Sequence, residues 1–301
     1  MKQDLQTFVT QLQAAKVENA RRELILLLAF IQNRPYSEVF FDPGFNVEDY
    51  DRLSFLVQRR CEGEPLSKIT GQREFWSLPF KVTTDTLDPR PDSETIIQAV
   101  LLHFPDRHHP FKIVDFGTGT GCLLLSVLSE YPNSLGMGVD ISDAALTVAK
   151  ENAQQLKLQQ RTFFIRSSWA KKVQGKFDIL ISNPPYIRLN ESLEPAVKHY
   201  DPPYALYGGE DGLEAYRTLL PQLHPLMYSH SLAFIEIGKD QGDAVRSIGK
   251  EAGLTCVATY LDLASVERTV VFGKALRFDK LGVTFPSCFA LACLTIFKLF
   301  C

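Results

Sequence analysis

Residues 112–121, KIVDFGTGTG, are the first indication of the fold class of this 301-residue chain. Their first half has the apolar character of a strand, and the glycine-rich half leads into an apolar helix at 121–130. Gly117, Gly119 and Gly121 allow positive φ and close backbone approach, and the helix N-terminus supplies free N–H groups for a carboxylate or phosphate. A tight strand-to-helix turn would use glycine too, so the loop predicts a ligand site but does not decide it.

Strands and helices alternate on both sides of this loop. Apolar periodicity predicts strands at 112–116, 135–140, 162–167, 177–182, 232–238, 255–262 and 268–274, and helices at 94–104, 121–130, 143–157, 212–227 and 240–252. Such alternation requires crossover connections and therefore predicts an α/β fold with a mostly parallel sheet. The last two strands have no helix between them, so we expect one of them to be antiparallel.

The N-terminal part of the chain has a helical pattern instead. Apolar side chains recur three and four residues apart in 5–12, and a second apolar helix at 21–32 ends before Pro35. Asn46 has the position of an N-cap for a third helix. The predicted division is a helical docking domain at 1–72, a hairpin connector at 73–92, a sheet domain at 93–274 and an apolar tail at 275–301.

The tail is the least ordinary part of the composition. Its stretch 281–301 contains one charged residue, Lys298, and approaches the roughly 20 residues of a membrane span. Pro286, Ser287 and the near-terminal position of that charge argue against a span, so we expect no membrane partner.

Composition and charge exclude several other classes. Hydrophobic residues make up 45% and charged residues 22%, as in ordinary globular proteins, and a net charge of −3 argues against a protein that grips nucleic acid phosphates. The six cysteines show no C-x-x-C pair and no zinc spacing, which indicates reduced thiols in a cytoplasmic protein without a metal site. Asp4 and the lack of an apolar run indicate that the N-terminus is not a signal peptide.

Two aspartates extend the ligand hypothesis. Asp140 ends the next predicted strand, where a carboxylate can accept both ribose hydroxyls of a nucleoside. Helix capping is the alternative role, although Ser142 already fills it. Asp115, at the start of the loop, suits an amino group or loop amides and would repel a pyrophosphate. Because the spacing is G-x-G-x-G rather than G-x-G-x-x-G, these features favour S-adenosylmethionine over NAD.

A second motif, Asn183-Pro184-Pro185-Tyr186, follows the strand predicted at 177–182. Its prolines end the strand and stiffen the chain at the edge where open α/β sheets bind ligands. A stiff loop without further role is the alternative. The side-chain oxygen of Asn183 and the carbonyl of Pro184 can each accept one N–H of a planar NH₂ group and turn its lone pair toward a methyl donor. Tyr186 offers a flat surface to the same group.

Further motifs accompany these two in a fixed order. They are GQREFWSLPF (71–80), PRPDSE (89–94), DFGTGTG (115–121), SNPPY (182–186) and ALYGGEDGL (205–213). In this combination the chain resembles the protein-(glutamine-N5) methyltransferases that modify peptide-chain release factors (the PrmC/HemK family). The resemblance implies a seven-stranded, mostly parallel class I S-adenosylmethionine-dependent methyltransferase sheet and a small N-terminal helical domain that holds the release factor.

The resemblance also implies roles for individual residues. The cofactor would be bound by Asp115, Gly117, Thr118, Gly119, Thr120, Gly121, Asp140 and Trp169, with Arg90 lining its side. Asn183 would contact both cofactor and glutamine, and Pro184, Pro185 and Tyr186 would clasp the glutamine side chain, so that Asn183, Pro184 and Tyr186 are the candidate catalytic residues. A buried core position is the alternative for Trp169, and an inter-domain ion pair is the alternative for Arg90.

Three departures from the family pattern accompany the resemblance. Ser168 stands where an acidic residue usually precedes the tryptophan, so no carboxylate is expected there for the adenine amine. Asp88 stands where an apolar residue is expected and adds charge near the cleft. The residues after Lys274 have no counterpart in the family.

Two other functions share some of these motifs. DNA adenine-N6 methyltransferases also contain NPPY, but they need a basic target-recognition region to flip the base. A non-catalytic release-factor-binding module would not need both motifs intact. We therefore predict an enzyme that transfers a methyl group from S-adenosylmethionine to the glutamine side-chain amide in the Gly-Gly-Gln motif of class I release factors, without direct nucleic acid contact.

Overall fold

The computed structural model describes residues 2–275. The predicted apolar tail therefore lies outside the described residues, apart from its first residue. Within 2–275 no helix is both long enough and apolar enough to cross a membrane.

Five helices form the N-terminal part. They are α1 (Lys2–Ala14), α2 (Ala20–Gln32), α3 (Tyr36–Phe41), α4 (Val47–Cys61) and α5 (Leu66–Thr70). Fully buried leucines of α1, α2 and α4 (Leu12, Leu27 and Leu53) pack in one apolar core. Asn46 caps α4 as predicted, because its side chain accepts the backbone N–H of Asp49. The helices α3 and α5 were not predicted, since five or six residues are too few to show a helical period.

A short hairpin connects this part to the sheet domain. Its strands are β1 (Gln72–Phe75) and β2 (Leu78–Lys81), paired antiparallel. Phe75 and Phe80 are buried in the core of the sheet domain, so the hairpin packs against that domain. The hairpin is shorter than the predicted connector, because the chain after Lys81 forms a loop and then a single 3₁₀ turn, Pro91–Ser93.

Seven strands form the central sheet. They are β3 (Lys112–Phe116), β4 (Leu135–Asp140), β5 (Thr162–Arg166), β6 (Phe177–Ser182), β7 (Met227–Glu236), β8 (Leu254–Leu261) and β9 (Glu267–Lys274). The strand order is β5-β4-β3-β6-β7-β9-β8. All neighbours pair in parallel except β9, which is antiparallel to both β7 and β8. The predicted mostly parallel sheet with one antiparallel strand is confirmed.

Helices cover both faces of this sheet. They are α6 (Glu94–His103), α7 (Cys122–Glu130), α8 (Asp143–Gln155), α10 (Glu214–Leu223) and α11 (Gly242–Glu251), whereas the short α9 (Pro195–Tyr200) has no buried residue. Along β6, Ile179 and Ile181 pack with α6 and α7, whereas Leu180 packs with α10 on the other face. The central strands are therefore apolar on both sides, as a parallel sheet between two helical layers requires.

Candidate active site

The two predicted motifs lie side by side at the C-terminal ends of two neighbouring strands in the middle of the sheet. β3 and β6 are neighbours, and the chain continues from β3 toward β4 and β5 but from β6 toward β7. In open α/β sheets, ligands bind where the strand order reverses in this way. The hydroxyl of Ser182 at the end of β6 donates to the carbonyl of Phe116 at the end of β3, over 2.7 Å. This bond fixes the two strand ends together.

The glycine loop leaves its backbone open at Gly119. This residue has a φ of +53°, and no atom lies within 4 Å of the position that a Cβ would take. A ligand can therefore approach the main chain closely at this point. Gly121 differs, because a Cβ there would contact Leu125 at 3.2 Å. Its φ of +79° and its packing against the helix layer give it a structural role.

Asp140 holds the loop from the end of β4. Its Oδ2 accepts the backbone N–H of Gly119 and its Oδ1 accepts that of Ser142, each over 2.9 Å. Burial raises the pKa of this carboxyl, while the backbone N–H groups oppose the rise. Ser142 caps α8, as predicted, by accepting the N–H of Ala145. The Asp140 carboxylate thus orders the glycine loop, and contact with a ribose stays a prediction.

Asp115 lies buried beneath the same loop. Its Oδ2 accepts the hydroxyl of Thr118 over 2.6 Å, and its Oδ1 has no hydrogen-bond partner among the described residues. Burial raises the pKa of Asp115 to about 7, the negative charge of Asp140 adds to the rise, and the bond from Thr118 opposes it. The hydroxyl of Thr120 accepts the N–H of Cys122 at the start of α7. Both loop threonines therefore serve the local structure.

Trp169 lies beside the glycine loop. A ring carbon of Trp169 is 3.8 Å from the position that a Cβ of Gly117 would take. The indole is half-buried and packs against the core on the α10 side of the sheet. A contact with adenine at this position stays a prediction.

Asn183 is oriented by a hydrogen bond to the start of α6. Its Nδ2 donates to the Oγ of Ser93 over 3.0 Å. Because the amide nitrogen is engaged in this way, the side-chain oxygen is the atom left to accept hydrogen bonds from a ligand. Asn183 is half-buried, so a ligand can reach that oxygen.

The rest of the NPPY motif is enclosed by the glycine-rich stretch 208–212. A Cβ at Gly208 would lie 2.5 Å from the carbonyl oxygen of Pro185, so only glycine fits this approach. The side chain of Gln241 donates to the carbonyl of Tyr186 over 3.0 Å. Main-chain contacts on two sides therefore hold the motif rigid, and Pro184 is buried.

Glu236 is a site residue that the sequence reasoning missed. It ends β7, is fully buried, and its Oε1 accepts the hydroxyl of Tyr186 over 3.3 Å. Burial raises the pKa of Glu236 to about 7, while Ser93 and the positive charge of Arg268 oppose the rise. A glutamate inside the apolar stretch LAFIEIG (232–238) was the signal that could have identified it.

Arg90 lies on the acceptor side of the site, in an ion pair. Its Nη2 is 2.6 Å from the Oδ2 of Asp201. Burial raises the pKa of Tyr186, and the positive charge of Arg90 opposes this rise. The Oδ1 of Asp201 lies 3.1 Å from the Nζ of Lys68 on α5. Arg90 thus has an ion-pair partner in the sheet domain, and Lys68 extends this ion pair to the helical part. The contact of Arg90 with a cofactor stays a prediction.

Asp88, one of the three departures from the family pattern, also takes part in the contact between the two parts of the chain. Its buried carboxylate accepts the hydroxyl of Ser67 on α5 over 2.9 Å. Its backbone N–H donates to Asp201. The added charge therefore lies between the helical part and the sheet domain.

Two families of domains match this chain. Residues 3–71 match the PrmC N-terminal domain, and residues 92–199 match the Methyltransferase small domain. The first match ends within the last turn of the helical part, and the second begins just before α6 and includes both motifs.

Relatives that match most of this chain share an activity in their names. The release factor glutamine methyltransferase of Caulobacter vibrioides is 37% identical over 266 residues, which cover 87% of this chain and 92% of the relative. The enzyme of the same name from Escherichia coli is 33% identical, over 89% of this chain and 96% of its own. Among solved structures, the hMettl16 catalytic domain in complex with MAT2A 3′UTR hairpin 6 has a TM-score of 0.54 and 14% identity, covering 80% of this chain and 85% of that chain. That likeness shows the fold alone.

Proposed function

This chain belongs to the family of release factor glutamine methyltransferases, and we propose that it methylates the side-chain amide nitrogen of the glutamine in the Gly-Gly-Gln motif of class I release factors. It is an S-adenosylmethionine-dependent methyltransferase. The observation that carries the proposal is the orientation of Asn183, whose nitrogen is bound to Ser93 and whose oxygen is left for an NH₂ group.

The residues around the glycine loop fit this cofactor. Two carboxyls, Asp115 and Asp140, lie beside the open backbone of Gly119. Negative charge of this kind suits a cationic cofactor with ribose hydroxyls and would repel a pyrophosphate. Asp140 would hold the ribose, and Trp169 would lie against the adenine. When bound, S-adenosylmethionine supplies an electrophilic methyl group on its sulfonium.

The acceptor side would orient the glutamine amide. An amide nitrogen is a poor nucleophile because its lone pair is delocalised into the carbonyl. The Oδ1 of Asn183 and the carbonyl of Pro184 would each accept one of its N–H groups and so turn the lone pair toward the methyl group. A preorganised pair of acceptors costs no rearrangement during the reaction. The rigid position of the motif therefore contributes directly to the rate.

The reaction needs no strong base at the acceptor nitrogen. Methyl transfer leaves a positively charged amide nitrogen, which is very acidic, and its proton passes to water after the carbon–nitrogen bond has formed. Asn183 and Pro184 would hold the two N–H groups until then.

The release factor would dock in the cleft between the two parts of the chain. A cavity of about 1310 Å³ lies there, lined by α2, α5, the hairpin and the ion pair of Arg90 with Asp201. Its lining carries both signs of charge, including Arg22 and Glu23. A mixed surface suits a folded protein better than a nucleic acid backbone, which attracts mainly cations. We place this activity in the cytoplasm, with no membrane or nucleic acid partner.

Labelled methyl donor distinguishes this proposal from DNA adenine methylation. The protein and the labelled donor are incubated in three separate reactions. The first contains a release factor, the second the same factor with Gln→Ala in its Gly-Gly-Gln motif, and the third duplex DNA. We expect label in the unmodified release factor alone. Label in DNA, or equal label in the Gln→Ala factor, would contradict the proposal.

A further inference from the structure

A buried carboxyl beside the NPPY motif has one oxygen to which no described residue makes a direct hydrogen bond. Glu236 is fully buried at the end of β7, and its Oε2 has no hydrogen-bond partner in the described part of the chain. A buried ionisable group without a full set of hydrogen bonds destabilises the folded state, so its presence calls for a functional explanation. The proposed reaction does not use Glu236 directly.

Ser93 connects this carboxyl to Asn183. Ser93 occupies the N-cap position of α6, yet its side chain makes no capping hydrogen bond. Its Oγ instead accepts the Nδ2 of Asn183, and the residue is almost fully buried. A serine hydroxyl has one hydrogen to donate, and this hydrogen remains free when the oxygen is used as an acceptor.

The Glu236 carboxyl is the acceptor that we assign to the hydroxyl hydrogen of Ser93. Ser93 opposes the rise in the pKa of Glu236, and the Oε2 of this carboxyl has no hydrogen-bond partner among the described residues. Hydrogen bonds would then run in one direction, from Asn183 to Ser93 and from Ser93 to Glu236. Tyr186, at the other end of the motif, donates to the Oε1 of the same carboxyl. One carboxylate would then receive hydrogen bonds from both ends of the acceptor site.

We propose that Glu236 and Ser93 are positioning residues that fix the Asn183 amide with its oxygen toward the acceptor, and thereby select glutamine over glutamate. This inference rests on the proposed function, in which the acceptor is a glutamine amide. An ionised Glu236 can only accept, so Ser93 must donate to it and must accept from Asn183. Without the carboxylate, the hydroxyl could donate to Asn183 instead, and the amide could turn over.

A turned amide would present its NH₂ to the site. This group repels the NH₂ of glutamine but pairs well with a carboxylate oxygen of glutamate. The orientation of Asn183 therefore affects both the rate and the choice between the two side chains.

Several ionisable groups face Glu236 from neighbouring elements. They are Asp92 of the 3₁₀ turn, Cys122 of α7, Tyr186 of the motif, Tyr216 of α10 and Arg268 of β9. Arg268 also pairs with Asp92 and Asp262, so its charge is shared among carboxylates. Because the carboxylate form is the active one and the pKa of Glu236 is about 7, kcat should rise with pH through that value. Asp115 titrates in the same range, so a substitution is needed to assign the step.

The experiment uses the full chain and the variants Ser93→Ala, Glu236→Gln and their combination. Ser126→Ala deletes a buried hydroxyl on α7, and Asp178→Asn neutralises a carboxyl at the opposite end of β6, so these two serve as matched controls. We expect kcat at saturating cofactor to fall about 10- to 100-fold in both single variants, as for misplaced catalytic groups. The double variant should be no slower than the slower single one, since both changes act on Asn183.

Two further readouts separate positioning from loss of structure. Glu236→Gln should lose the rise of kcat around pH 7, and it should bind a release factor with Gly-Gly-Glu relatively better than the unmodified protein does. Cofactor affinity and thermal unfolding should match those of the controls. Unchanged kcat in both single variants, or losses that multiply in the double variant, would overturn the proposal.

A measurement without any acceptor keeps the proposal testable if the release factor is not the substrate. Selective ¹⁵N labelling of asparagine, with Asn183→Asp to assign the signal, reports the environment of the Asn183 side-chain amide. We expect its resonances to shift in Ser93→Ala and Glu236→Gln and to stay in place in Ser126→Ala. Resonances that do not move in Glu236→Gln would overturn the positioning role. Failure of the unmodified protein to methylate release factor would instead contradict the proposed function.

Discussion

Asp140 accepts two backbone hydrogen bonds, one from Gly119 in the glycine loop and one from Ser142 at the start of α8, in addition to the expected ribose contact. Asp140→Ala removes all these acceptors. We expect it to weaken cofactor binding by about 1.5–3 kcal/mol, as for hydrogen bonds to a charged group. This corresponds to a rise in Kd of roughly 10- to 150-fold. Excess cofactor should restore most of the turnover, which calorimetric titration and rates at rising cofactor concentration will measure.

Asn183→Ala should give the opposite pattern. The change leaves the glycine loop and Asp140 in place but removes one acceptor that orients the NH₂ group. Loss of such a bond costs on the order of 10²–10³ in rate, so turnover should stay slow even with saturating cofactor. The same titration of rate against cofactor concentration tests both variants. Near-normal turnover of saturated Asn183→Ala would mean that NPPY is only a stiff turn.

Asp115 should make the stability of the protein depend on pH. Its pKa is raised from 3.8 to about 7, so the folded state favours the neutral form. The contribution of this group to the unfolding free energy is fully present below about pH 4 and is lost as pH rises through about 7. The loss is at most about 4 kcal/mol, because each pKa unit corresponds to about 1.36 kcal/mol. Asp115→Asn stays neutral and should therefore be the more stable protein at pH 8.

Urea unfolding at pH 5, 7 and 9 measures this difference. The gap in unfolding free energy between Asp115→Asn and the unmodified protein should widen from pH 5 to pH 9. Glu236 also makes the unfolding free energy depend on pH, because its pKa is raised to about 7. This dependence is the same in both proteins and therefore cancels in the difference between them. Parallel curves would show that the Asp115 carboxylate is not penalised by its burial.

At the level of elements, α8 connects the hairpin to the glycine loop through Asn152. This side chain is fully buried; its Oδ1 accepts the N–H of Lys81 over 2.7 Å, and its Nδ2 donates to the carbonyls of Lys81 and Thr120. Asn152→Ala leaves these backbone groups without partners. Each unsatisfied group costs about 1–3 kcal/mol, so for three groups we expect a total loss of at least about 3 kcal/mol and weaker cofactor binding.

Asn133→Ala is the matched control for this prediction. Asn133 is exposed and makes a single bond, from its Nδ2 to the carbonyl of His108 over 2.8 Å. Surface changes of this kind are usually within about 0.5 kcal/mol. Thermal unfolding and cofactor titration of both variants test the idea. Equal losses in the two variants would show that the burial of Asn152 is of no consequence.

Most of the sheet could be predicted because buried parallel strands are continuous apolar runs. β3, β4 and β6 have their predicted bounds. β7 begins at Met227, five residues earlier than predicted, because its first half, MYSHS (227–231), is polar and partly exposed. The helix before it correspondingly ends at Leu223. Periodicity thus finds an element through its buried part and misses its exposed end.

Local sequence was enough to recognise the two motifs of the candidate site. The glycine loop and NPPY each follow a strand, so the topology of parallel strands brings them together. Ser93, Glu236 and Asp201 act through neighbours from 50 to 111 residues away in the chain. Such contacts depend on the order of strands in the sheet, which the pattern of apolar residues does not specify.

At the level of the whole molecule, α5 is bound firmly to the sheet domain although it lies within the helical part. The Nζ of Lys68, whose side chain is 2% exposed, pairs with Asp201 and donates to the carbonyls of Thr83 and Thr86. Ser67 reaches Asp88 in the same way. We therefore propose that α1 to α4 form the removable docking unit and that α5 supports the sheet domain. The predicted docking domain of residues 1–72 stays a prediction.

Two truncations separate docking from structural support. A chain of residues 63–301 keeps α5 with its bonds to Asp201, whereas a chain of residues 73–301 loses them and leaves Arg90 as the one cation paired with Asp201 among the described residues. Removing a partner from a buried ion pair costs about 3–5 kcal/mol, less where water can enter. We expect 63–301 to fold and to bind cofactor as the full chain does, and 73–301 to unfold at a lower temperature.

Methylation of whole release factor should be weak in both truncated chains, because the cleft loses the wall formed by α2. A short peptide around Gly-Gly-Gln should discriminate further, since it reaches the acceptor site without needing that wall. We expect the 63–301 chain to modify the peptide at the rate of the full chain, while its KM for the whole factor rises. If 63–301 modified the whole factor as efficiently as the full chain, the helices before α5 would not be the docking surface, and recognition would have to lie entirely within the sheet domain.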